Sequence, residues 1–158
     1  MRKFFVGLGI AFAVLVVAGG VAFGVLAWNG AALDKSSQAY VDQSVVAIAA
    51  DWNADELWKR AGPRLRHAVK ETDLRDLVAG LRAALGPLAE YDGSRGQAII
   101  SVVNAQTQTS AQYVAKGRFE KGEAEVKIAL VRSGDSWLIE GFHVSSPVLA
   151  RNLIGFRS

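Results

Sequence analysis

Proton exchange near neutral pH falls first to histidine, and this chain has two, His67 and His143. His67 stands among Arg64, Arg66 and Lys70 and reads as a surface residue of a charged helix. His143 lies between Phe142 and Val144. Strand parity counts it with Trp137, Ile139 and Gly141, so on the concave side of a sheet it lines a pocket within reach of a substrate. A structural or exposed histidine is the simpler reading. Two isolated histidines with no carboxylate at ligand spacing do not compose a metal site, and neither a metal nor another cofactor is expected. The chain has no cysteine, which excludes a disulfide framework, a thiolate metal site and a cysteine nucleophile. Ser36-Ser37 and Ser145-Ser146 lack a G-x-S-x-G context, and no G-x-x-x-x-G-K occurs. Glu120, Glu123 and Glu125 flank a turn and read as edge protection rather than as an acid–base pair.

Aromatic residues offer a stronger lead. Tyr113, Phe119, Trp137 and Phe142 all fall in the C-terminal half, and part of this set must form the core of whatever sheet carries it. Tyr113, Phe119, Trp137 and His143 are the residues expected to wall a small-ligand pocket if one opens between sheet and helices. If the other sheet face stays open and apolar, it becomes a surface for a partner or for lipid.

The elements that position these residues follow from periodicity. Between Lys35 and Asp51, Tyr40, Val41, Val45, Ile48 and Ala49 recur at spacings of three and four, predicting a helix. Asn53, with Glu56 three residues on, caps a short helix carrying Leu57 and Trp58, which Gly62-Pro63 ends. Pro63 opens another through Val69. Thr72 is expected to cap a helix over Asp73–Leu85, whose stripe is Leu74, Leu77, Val78, Leu81 and Leu85, with Gly86-Pro87 as its stop. The period then changes. Gln97–Asn104, Gln106–Glu120, Glu123–Arg132 and Ser136–Ser146 read as strands, with turns at Lys121-Gly122 and Ser133-Gly134-Asp135. Leu149, Leu153 and Phe156 suggest a final helical turn. Helices followed by about four antiparallel strands predict an α+β fold, with the helices on one face of the sheet.

Ahead of this domain, an uncharged run from Phe4 to Leu33 is led by Met1-Arg2-Lys3 and closed by Asp34-Lys35. A membrane span needs roughly 20 apolar residues, whereas the apolar core of a cleaved signal has about 7–15. A retained anchor is therefore expected, with cleavage after Gly30-Ala31-Ala32 as the alternative. Arg2 and Lys3 hold the N-terminus in the cytoplasm. Residues 1–33 then form a cytoplasmic stub and transmembrane anchor, and residues 34–158 one extracytoplasmic domain at the cell (inner or plasma) membrane. Trp28 suits the interface, and Gly20 and Gly24 form a small-xxx-small pair through which two spans can pair as a homodimer. Of the net charge of +3, Arg2 and Lys3 supply two. The basic cluster Lys59, Arg60, Arg64, Arg66 and Lys70 is set among Asp55, Glu56 and Glu71, so no nucleic-acid partner is expected.

The stretch Tyr113–Ser146, Y-V-A-K-G-R-F-E-K-G-E-A-E-V-K-I-A-L-V-R-S-G-D-S-W-L-I-E-G-F-H-V-S-S, resembles the sheet half of small extracytoplasmic domains of unknown function with the cystatin-like, or NTF2-like, α+β fold. The matching positions are Phe119, Gly122, Gly134, Trp137, Ile139, Gly141 and Phe142. That fold group includes isomerases and dehydratases with a site between sheet and helices, but no catalytic residue of theirs is matched. Leu85-Gly86-Pro87-Leu88 after a leucine-rich helix resembles membrane-anchored cytochrome oxidase assembly factors. Three functions stay open on these grounds. The first expected is a non-catalytic anchored domain that binds an envelope or membrane protein. The second is an NTF2-like ligand or isomerase/dehydratase pocket, and the third is assembly of a membrane complex.

Overall fold

Val41, Val45, Ile48 and Ala49 give the first described helix one apolar stripe, and all four are buried. The computed structural model describes residues 30–154. Helix α1 spans Gly30–Ala49, α2 Ala54–Arg60, α3 Pro63–Ala68 and α4 Glu71–Leu85. Strands β1 (Leu88–Val103), β2 (Gln106–Phe119), β3 (Gly122–Ser133) and β4 (Ser136–Ser145) follow, then α5 (Pro147–Ile154). The strands form one antiparallel meander in the order β1-β2-β3-β4. This is the α+β arrangement expected, with helices packed on the sheet.

Alternation decides which sheet face is covered. Tyr113, Ala115 and Phe119 on β2, and Val126, Ile128 and Leu130 on β3, are buried against the helices, while Lys116, Arg118 and Lys127 between them are exposed. Leu57, Leu65, Leu74, Val78 and Leu85 close the helical side. The division drawn after Leu33 falls inside α1, and Leu33 itself is buried in this core. Among the described residues no helix is long and apolar enough to cross a membrane. Residues 4–29 of the run read as the span, with Trp28 and the Gly20/Gly24 pair, lie outside the described residues, as does Phe156.

Three local readings are corrected. Helix α4 starts at Glu71, its N-cap position is Lys70, and no side chain caps it. Glu71 and Asp73 in its first turn complement the helix dipole, so the helix forms ahead of Thr72. Strand β1 begins at Leu88 rather than Gln97. Its first half, A-E-Y-D-G-S-R-G, has little strand propensity, and pairing with β2 through two register shifts carries it.

The third correction concerns β4. Gly141 pairs with Ala129 but Ile139 pairs with Leu130, which leaves Glu140 as an extra residue in a bulge. Parity inverts there. Trp137 and Ile139 face the helices before the bulge and Phe142 does so after it. His143 therefore pairs with Lys127 on the opposite, outward face. The bulge has a use: the Glu140 carboxylate accepts a hydrogen bond from the Leu65 N–H (3.1 Å), capping α3, whose N-cap Gly62 has no side chain to offer. Gly62 N–H also donates to Ile139 O (2.8 Å), tying the α2–α3 junction to the edge of β4.

Candidate functional site

The three aromatics expected to wall a pocket all reach the helical side of the sheet, and each is already engaged. The Tyr113 hydroxyl lies 2.8 Å from Ser37 Oγ and donates to Asp34 O (3.0 Å), both on α1. The Trp137 indole N–H donates to Ser36 Oγ (3.3 Å) on the same turn of α1. Phe119 stacks on Trp52 with ring centroids 5.2 Å apart, and the Trp52 N–H donates to Gly86 O (2.7 Å) at the end of α4. Tyr113 and Trp137 thus meet the start of α1, while Phe119 sits at the other end of the domain. His143 joins none of them. Burial, and then the Lys127 ammonium, push its pKa below the ordinary histidine value.

A polar seam between α1 and β1 brings together titratable and hydroxyl groups from distant parts of the chain. Asp42 Oδ1 accepts from Tyr91 Oη and from Ser94 Oγ, each at 2.6 Å. Asp34 Oδ1 accepts from the Ala98 N–H at 2.6 Å, and Gln38 Nε2 donates to Ser94 O at 2.8 Å. Burial, reinforced by the hydrogen bond to Asp42 and its charge, holds the Tyr91 proton far above the ordinary phenol range. Burial likewise raises Tyr113. A phenol that keeps its proton this firmly positions a helix on a strand and is a poor general acid near neutral pH. The groups satisfy one another, so the seam reads as an interlock between α1 and β1.

None of Asp42, Tyr91 or Ser94 stood out in the sequence. They are far apart along the chain, and only the pairing of β1 with β2 brings the last two under α1.

The remaining candidate surface is the outward face of the sheet. Register places Ile99, Val131 and Leu138 in one cross-strand row through Ser110, and Val114, Lys127 and His143 in another. Ile99, Val114, Val131, Leu138 and His143 are half-buried on this face. Lys116 and Glu125 pair across the same face at 3.1 Å.

On the helical side the basic cluster is dispersed. Arg60 pairs with Glu56. Arg66 donates to Ala61 O and Trp58 O (both 2.9 Å) and stacks over the Trp58 ring at 4.8 Å. Among the described residues no group of three or more His, Asp or Glu side chains is placed to hold a metal ion.

Compared with known proteins, the chain matches no family model, no curated relative and no solved structure at a significant level.

Proposed function

We propose that the chain is a single-pass membrane protein that holds a non-catalytic α+β domain of cystatin-like type outside the cytoplasm, where the outward face of its sheet binds an envelope or membrane protein. The observation that carries this reading is the engagement of the interior. The aromatic hydroxyl and indole groups beneath the helices bond to α1 and α4, and Asp42 bonds to Tyr91 and Ser94. Chemistry has little to work with there. The sheet's other face offers one largely apolar row, Ile99, Val131 and Leu138 through Ser110, beside a row in which Val114 stands with Lys127 and His143, a mixture that suits recognition of another protein. A long helix laid on a four-stranded meander supports the cystatin-like assignment, and the uncharged run from Phe4 supports the anchor. A ligand pocket walled by Tyr113, Phe119, Trp137 and His143 draws less support, since the first three are tied to helices at opposite ends and the fourth faces away.

The test is site-specific photo-crosslinking of the full chain in its own cells. A photoreactive residue at Val114 is expected to give a discrete adduct, and one at Asp76 on α4 to give none. Equal labelling from both positions, or none from a set of positions across the sheet face, contradicts the reading.

A further inference from the structure

Among the described residues the exposed large hydrophobic side chains are Val46, Val102 and Val103, and the last two adjoin at 46% and 42% exposure on the tip of the β1–β2 hairpin. That hairpin outruns the sheet. Strand β3 stays paired with β2 only as far as Ser110↔Val131, while β1 and β2 remain paired to Val103↔Gln106. From Gly96 to Ala115 it carries no charge, in a chain that is 21% charged. A projecting two-stranded ribbon in water is ordinarily guarded by lysine or another charge. This one presents Val, Ile, Ser, Thr, Gln and Asn instead.

Its position gives the composition a meaning. Asp34 bonds to Ala98, Gln38 to Ser94, and Asp42 to Ser94 and Tyr91, so α1 runs antiparallel to β1 and its start points toward the tip. Gly30 lies about 6 Å beyond Asp34 along the helix, and the Asn104-Ala105 turn about 20 Å beyond Ala98 along the strand. The apolar run that precedes Gly30 therefore joins the domain at the end where the uncharged tip projects. Val102 and Val103 are successive strand residues and point to opposite faces of the ribbon. A groove on a protein covers one face, whereas a fluid lipid layer covers both.

We propose that the β1–β2 tip, Val102-Val103 with its Asn104-Ala105 turn, inserts into the headgroup–acyl boundary of the membrane and fixes the domain's orientation on the surface. This rests on the anchored reading above. The neutral hydrogen-bonding side chains around the valines suit the headgroup layer, and the valines suit its acyl edge. The second contact turns the outward sheet face to a set angle relative to the bilayer.

The absence of cysteine makes the test direct. Full-length chain carrying Val103→Cys or, at the opposite end of the sheet, Glu123→Cys is labelled with nitrobenzoxadiazole. It is then reconstituted in phosphatidylcholine–phosphatidylglycerol vesicles with or without lipid spin-labelled near the headgroup. The expected result is a blue-shifted Val103 signal quenched about twofold or more by the spin label, with the Glu123 signal unmoved. A Val103 probe as wet as the Glu123 probe, on protein that still floats with vesicles, overturns the insertion and leaves the anchor standing. A Val103 probe that is shielded but unquenched means a protein surface covers the tip, and also overturns it. Protein that fails to float overturns both.

Discussion

The Ser37 hydroxyl and the Tyr113 phenol stand 2.8 Å apart across 76 positions of sequence, joining the start of α1 to the inner face of β2. Ser37 Oγ also donates to Leu33 O at 2.7 Å, so it keeps a partner when the phenol is removed. Tyr113→Phe therefore loses the contacts to Ser37 Oγ and Asp34 O without stranding Ser37, and is expected to cost about 1–2 kcal/mol. Urea unfolding of the full chain in micelles measures this. A loss several times larger would mean that the phenol holds something beyond this junction.

The tyrosines make stability sensitive to alkali. Tyr40, Tyr91 and Tyr113 all have raised pKa values, with burial as the first cause in each case. At Tyr91 the Asp42 carboxylate adds to burial. A folded pKa above the unfolded value of about 10 stabilises the protonated native state. That stabilisation is complete below pH about 10 and is lost as pH rises from there through the folded value. The denaturation midpoint should hold level to about pH 9 and fall steeply above pH 10. Tyr91→Phe should make the fall shallower, and an unchanged slope would remove Tyr91 from the account.

Ser44 on α1 is buried, and among the described residues its hydroxyl makes no well-formed hydrogen bond, the Tyr40 phenol one turn earlier being at best a weak partner. A buried hydroxyl without a good partner costs free energy, and alanine is the better helix former. Ser44→Ala is expected to raise stability by about 1 kcal/mol, read as an increase in the urea midpoint with no change in slope. A decrease would reveal a partner for the hydroxyl.

The turn at the hairpin tip is strained. Asn104 and Ala105 both have positive φ, 51° and 62°, as in a type I′ turn. Asparagine tolerates that conformation, but alanine pays for its Cβ. Ala105→Gly should stabilise the chain by roughly 1 kcal/mol. Thermal unfolding of the two proteins side by side decides it, and a lowered midpoint would contradict the turn geometry.

How much of this could be read beforehand varies by element. The alternation of Val126, Ile128 and Leu130 and the stripe of Leu74, Val78, Leu81 and Leu85 were legible, because one-sided burial writes its period directly into the chain. The orientation of His143 was not. A single extra residue at Glu140 inverts parity, and the only local hint is the glycine that follows it. The first half of β1 was also hidden, since Asp92, Gly93 and Gly96 read as loop and only pairing with β2 makes them strand. The Asp42–Tyr91–Ser94 seam had no signal, because it exists only where α1 crosses β1.

Sidedness tests most directly the proposed anchoring of the domain outside the cytoplasm by the N-terminal run. With no native cysteine to confuse the reading, single Lys3→Cys and Asp135→Cys variants of the full chain can be exposed to a membrane-impermeant maleimide in cells stripped of their outer layers. The account predicts membrane-bound protein that labels at position 135 at once and at position 3 only after permeabilisation. Labelling in the reverse order, or protein recovered away from the membrane, would contradict it.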